Sequence, residues 1–139
     1  MPKKTSVKKI SREEKRNLDV EISFIEGVVR KDPEYLEALQ ILGDDYTRRG
    51  RLDDGLKVDE QLARLRPEDP TVLYNLACSY SLTGHTDDAF TALDRALAAG
   101  YQDFKWMALD PDLASLRKHP HFEQVRAKMK AVKAKEKKA

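Results

Sequence analysis

Cysteine is nearly absent from this chain. Cys78 stands alone among 139 residues, so no intramolecular disulfide can form, and a lone thiol fits a reducing cytoplasm. Glycine and proline number six each and stand at plausible helix ends, never in a run. No stretch reaches 18 consecutive apolar residues, which excludes a membrane-spanning helix. The lysine-rich start lacks an apolar segment and a small-residue cleavage site, so it does not read as a secretory signal. Also missing are a glycine-rich phosphate loop, a serine-centred elbow and a cluster with zinc-ligand spacing. No catalytic residue, metal or cofactor is therefore expected, and the chain is not read as an enzyme.

What is present is a soluble, charge-rich and helical composition, 40% hydrophobic and 36% charged, of one domain's length. The net charge of +2 hides a segregation. Residues 1–10 hold four lysines, and residues 126–139 hold seven basic residues against Glu136. The body between them carries 15 basic and 23 acidic groups, a net −8.

Displaced by 34 residues, the segment from Leu36 to Asp103 falls on itself. Leu39 meets Leu73, Leu42 meets Leu76, Tyr46 meets Tyr80, Gly50 meets Gly84, and Asp53-Asp54 meets Asp87-Asp88. Small residues coincide too, Gly43 with Ala77 and Gly55 with Ala89. Unrelated segments of this length would agree at only about two positions. Each copy reads as two helices. Leu36, Leu39, Leu42 and Tyr46 mark the apolar face of the first, which Arg48-Arg49-Gly50 ends, cations suiting the carboxyl-terminal dipole and glycine the left-handed cap. Asp53 and Asp54 then suit the start of the second, Leu52, Leu56, Leu62 and Leu65 give it an apolar face, and Pro67 stops it.

The same interval subtracted from Leu52, Leu56, Leu62 and Pro67 lands on Leu18, Ile22, Val28 and Pro33. The first helix, opened by the capping box Ser11…Glu14, is thus the second half of a repeat. After Gly100 the period fades into an apolar patch of Phe104, Trp106, Met107 and Leu109, then Asp110-Pro111 and a last helix on Phe122, Val125 and Met129. Such a segment is expected to cover the end of a stack that would otherwise expose its core. The chain divides into a disordered basic arm (1–10), a helical domain (11–129) and a basic tail (130–139). Within the domain lie a capping helix (11–32), repeat one (34–67), repeat two (70–100) and a carboxyl-terminal cap (101–129).

Leu39-x-x-Leu42-Gly43-x-x-Tyr46 with Gly50 and Pro67 resembles the tetratricopeptide repeat signature. Leu73-x-x-Leu76-Ala77-x-x-Tyr80 with Gly84, Ala89, Leu93 and Ala96 resembles it again. The tail Leu109-Asp110-Pro111-Asp112-Leu113-x-x-Leu116-Arg117-x-His119-Pro120-x-Phe122 looks like the closing segment of many bacterial tetratricopeptide proteins. The resemblance implies an all-α fold: a short α-solenoid, a right-handed superhelix of antiparallel helix pairs. Two full repeats are flanked by an amino-terminal half-repeat and a carboxyl-terminal helical cap. Gly55 departs from an expected alanine, which costs about 1 kcal/mol in a helix, and Asp59 occupies a place that prefers an aromatic.

By the same resemblance, the first helix of each pair lines a concave groove that holds a peptide or helix of another protein. The groove residues would be Glu37, Gln40, Asp44, Thr47 and Arg48 in repeat one, and Thr71, Tyr74, Cys78 and Ser81, with Leu82, in repeat two. One subfamily grips a chaperone's terminal carboxylate with lysine, arginine and asparagine. Gln40 and Asp44 stand where that clamp needs Lys and Asn, so like charge would oppose the carboxylate. The acidic first repeat instead predicts a partner segment with lysine or arginine.

The remaining motifs have plainer readings. His85, His119 and His121 read as turn or cap residues, the paired aspartates as cap and dipole partners, and the Tyr101, Phe104 and Trp106 cluster as core. The function expected is a cytoplasmic, non-enzymatic protein-interaction scaffold. The alternative is association with nucleic acid or the ribosome through the two basic ends, opposed by the acidic body and the lack of aromatics in the tails. Self-association is a third reading, because so short a stack leaves faces free to pair.

Overall fold

The computed structural model describes residues 9–138, so most of the expected basic arm (1–8) and Ala139 lie outside the described residues. The helices are α1 (Arg12–Lys31), α2 (Leu36–Arg49), α3 (Leu52–Leu65), α4 (Pro70–Leu82), α5 (Thr86–Ala98), α6 (Phe104–Leu109), α7 (Ala114–Arg117) and α8 (Phe122–Lys138). A 3-10 turn over Pro111–Leu113 leads into α7. Among the described residues there are no strands. Each of α1 to α4 packs on the next, giving the all-helical tetratricopeptide-like solenoid.

Local chemistry sets the boundaries. Ser11 accepts the Glu14 amide at 3.1 Å while Glu14 reaches back to the Ser11 amide at 3.3 Å, so the capping box that opens α1 is complete. Gly50 and Gly84 adopt φ of 88° and 80°, the left-handed conformation that lets Arg51 and His85 donate their amides back to the Tyr46 and Tyr80 carbonyls. Asp53, Asp54, Asp87 and Asp88 lie in first turns, where the dipole favours them. They are not caps: the capping positions are Arg51 and His85, and Asp54 instead pairs with Arg51 at 2.9 Å.

One tertiary bond repeats with the sequence period. The Tyr46 hydroxyl donates to Glu26 between α2 and α1, and the Tyr80 hydroxyl donates to Glu60 between α4 and α3 at 2.9 Å. Glu26 and Glu60 are 34 residues apart, as the tyrosines are, so α1 holds the place that α3 holds one repeat later. Burial and the glutamate push the Tyr80 phenol up to about 12.

Gly43 explains how α3 comes so close to α2. A methyl group there would lie 3.1 Å from an Asp59 oxygen and 3.4 Å from Val58. Asp59, in its aromatic-preferring place, is buried and accepts the Ser79 hydroxyl of α4. Gly55 is likewise a packing glycine, since an added methyl would meet Thr47 Oγ1 at 3.1 Å.

The core is one cluster running from Ile22 through both repeats to Phe122 and Val125. Tyr101 and Phe104 are buried in it, as expected, and Trp106 packs against it. α8 packs on α5, and Met129 and Val132 continue its inward stripe into the segment expected as a basic tail. Alanine and lysine are strong helix formers, so the helix persists to Lys138.

Candidate functional site

A recess of about 330 Å³ opens between the first helices of the two repeats. α2 gives it Gln40 and Asp44, α3 gives Asp59 and Leu62, and α4 gives Thr71, Val72 and Asn75, with Asp69 just before α4. Three carboxylates thus converge on one concavity. Two of them have a structural reason for their orientation. Asp69 caps α4, accepting the Thr71 amide at 2.9 Å and the Val72 amide at 3.2 Å. Asp59 is held by Ser79, and Asp44 is exposed at the rim. A wall of this sign favours a cationic group, and an apolar floor of Leu62 and Val72 suits the methylene stem of lysine or arginine.

The ten expected groove residues divide, with Leu82 half-buried. Gln40, Asp44 and Thr71 come together in the recess, and Glu37 is exposed on the same helix as Gln40. Arg48 and Ser81 are half-buried. Thr47, Tyr74 and Cys78 are buried at 2%, 0% and 0% exposure, so they cannot face an open groove. Thr47 turns inward to donate to the Gly43 carbonyl at 3.1 Å.

The other two are covered by the closing segment, which the resemblance placed at the end of the stack. Its first part lies across α4, and α8 packs on α5. Tyr101 stacks on Tyr74 with ring centres 4.2 Å apart and planes within 3°, and the Tyr74 hydroxyl donates to Asp110 at 2.7 Å. Ser81 donates to the Asp112 carbonyl at 2.7 Å. Burial, Cys78 and Asp110 hold the Tyr74 phenol far above its ordinary range.

Cys78, Asp110 and Asp112 bring possible metal-ligand atoms within 4.8 Å of one another, all buried. Asp110 is the centre of the group, and hydrogen bonds occupy it. One oxygen accepts Tyr74 and lies 3.6 Å from the Cys78 sulfur, and the other accepts the Asp112 amide at 2.9 Å. The cluster is explained as the bond network that holds the closing segment down. The histidines serve turns and packing: Thr83 and His85 share a hydrogen bond, the His121 amide donates to His119, and both rings of the His-Pro-His turn contact Phe90.

The sequence does not mark Asp59 or Asp69 as groove residues. Asp69-Pro70 is a visible helix-start signal, and an aspartate in a core position opposite Gly43 is a second sign that could have been followed. Among the described residues, no helix is long and apolar enough to cross a membrane.

Comparison with known proteins supports the tetratricopeptide resemblance. The chain is 36% identical over 84 residues to a chloroplastic protein of Arabidopsis thaliana, covering 58% of this chain and 25% of that protein. It is 31% identical over 90 residues to the peroxisomal targeting signal receptor of Komagataella phaffii, covering 63% of this chain and 16% of the receptor. It is 34% identical over 77 residues to the human PEX5-related protein, covering 55% and 12%. The chain therefore spans a quarter or less of these relatives. They come from a plant, a yeast and human, and support the repeat type without the bacterial affiliation that the closing segment suggests. No protein-family model and no solved structure matches the chain.

Proposed function

We infer that the chain is a protein-interaction module that takes a lysine- or arginine-containing segment of another protein into the recess of repeat one. The observation that carries this reading is the convergence of Asp44, Asp59 and Asp69 over the apolar floor of Leu62 and Val72. A relative that is by name a receptor for a targeting signal supports binding of a protein segment, as a class of activity. The single buried thiol fits a reducing compartment, and the cytoplasm is the place we assign.

The test compares two fluorescent peptides of equal length, one lysine/arginine-rich and one aspartate/glutamate-rich, by anisotropy. The basic peptide is expected to bind, with affinity falling as salt rises. Asp44→Lys and Asp69→Asn, the latter keeping the helix cap, should each weaken it about fivefold or more. Equal binding of both peptides, or binding indifferent to both substitutions, refutes the reading.

Nucleic-acid association is the second reading, favoured by one feature. α8 presents Lys128, Lys130, Lys133, Lys135 and Lys137 as exposed residues of one continuous helix. Binding to duplex nucleic acid that survives deletion of 126–139 and of 1–10 rules this out.

A further inference from the structure

The outer face of α1 carries the exposed apolar residues Val20 and Phe24, at 67% and 69% exposure. The internal repeat says what kind of element such a face receives. One period after Phe24 stands Val58, and two periods after it Ala92; both are buried. Val58 packs at Gly43 of α2, the first helix of its own pair. In both complete repeats, then, the Phe24 position is covered, while Asp54 and Asp88 stand at the Val20 position, on the edge of that contact. In α1 it is open among the described residues, and Arg16, Asp19 and Ser23 line a shallow concavity there with Val20 and Phe24.

The exposed face of α1 is also complementary to itself. Val20 and Phe24 lie two residues either side of the buried Ile22, and Glu13 and Lys31 lie nine either side. Nine residues are about two and a half turns, so Glu13 and Lys31 both point away from the core, in line with the two apolar residues. A twofold axis opposite Ile22 sets Val20 against the second copy's Phe24 and Glu13 against the second copy's Lys31. Asn17 then meets the second copy's Gly27, whose missing side chain permits close approach.

We propose that a second copy of this chain is the helix that covers α1, forming an antiparallel, isologous α1–α1 dimer. The contact is a single 20-residue helix, about 30 Å long, on each side. It is smaller than the ~1,200 Å² typical of stable complexes, so association falls in the range of tens of micromolar rather than nanomolar.

Sedimentation velocity of the full 139-residue chain tests this at protein concentrations of about 5 and 500 μM. The wild type should move from monomer to dimer across that range. Phe24→Glu, at an exposed position that leaves helicity by circular dichroism unchanged, should remain monomeric at both. Glu13→Lys should weaken the dimer several-fold, and Glu13→Lys combined with Lys31→Glu should restore it. A wild type that is monomeric at the higher concentration overturns the proposal and leaves the face to a helix of another protein. A dimer that tolerates Phe24→Glu overturns the site, and failure of the double charge exchange to restore association overturns the antiparallel register.

Discussion

Asp45 should make this protein more stable in mild acid, the reverse of what a salt-bridged carboxylate does. Its side chain is 4% exposed at the junction of α2 with α1, and one of its oxygens has no hydrogen-bond donor. Across the junction it meets Glu21, so the two carboxyls can bond only if they share a proton. Burial first, then the Glu21 charge and the shared hydrogen bond, push Asp45 from 3.8 up to about 7, against a smaller pull from Arg48. Between those values the folded chain holds a proton that the unfolded chain has lost. The contribution is thus fully present below pH 3.8 and disappears as pH rises through 7. One proton of difference is worth about 1.4 kcal/mol per pH unit, and allowing for the curvature near 7 leaves about 2 kcal/mol between pH 5 and pH 7. That is roughly 1 M in a urea midpoint for a domain of this size. Urea unfolding of the wild type and Asp45→Asn, followed by circular dichroism from pH 5 to 8, isolates the group because the other carboxylates cancel. The variant should gain on the wild type by about 2 kcal/mol between pH 5 and 7, and the gap should level off above pH 8. A gap that stays constant across that range refutes the shared proton.

Tyr74→Phe keeps the stack on Tyr101 but takes the hydroxyl from the buried Asp110, and should cost about 1–3 kcal/mol in chemical denaturation. A neutral result means that Asp110 is satisfied without it. Gly43→Ala should lose about 1 kcal/mol net, since its helix-propensity gain is outweighed where the methyl group meets Asp59 and Val58, both buried. A stabilised variant, read from its thermal midpoint, would show that α3 can shift outward.

Most of the architecture is legible from residues whose role is local or periodic. Gly50 and Gly84 announce positive φ, Ser11 and Glu14 a capping box, and the 34-residue interval places α1 as a half-repeat that the Tyr46–Glu26 bond then reproduces. The site is less legible because it depends on which face a neighbour covers. Tyr74 and Cys78 carry the right spacing for a groove, and spacing does not reveal that Tyr101 and Asp110 lie over them. Asp59 reads as a packing defect in α3. It becomes part of an acidic wall only when Gly43 admits it and Ser79 binds it across two helices.

On the proposed reading, the closing segment limits where this stack can bind, as well as ending it. By stacking on Tyr74 and bonding Asp110 and Asp112 to α4, it spends the concave face of repeat two on intramolecular contacts. Its own Leu113 and Leu116 are buried completely, so its removal would expose core and could not serve as a simple gate. The open concave surface contracts to the junction of α2 with the start of α4, where Asp44 and Asp69 stand. A short stack of this kind offers one recess of one sign rather than a long neutral channel. Its selectivity should accordingly rest on the charge of one or two partner residues, with the affinity of such a contact set largely by ionic strength.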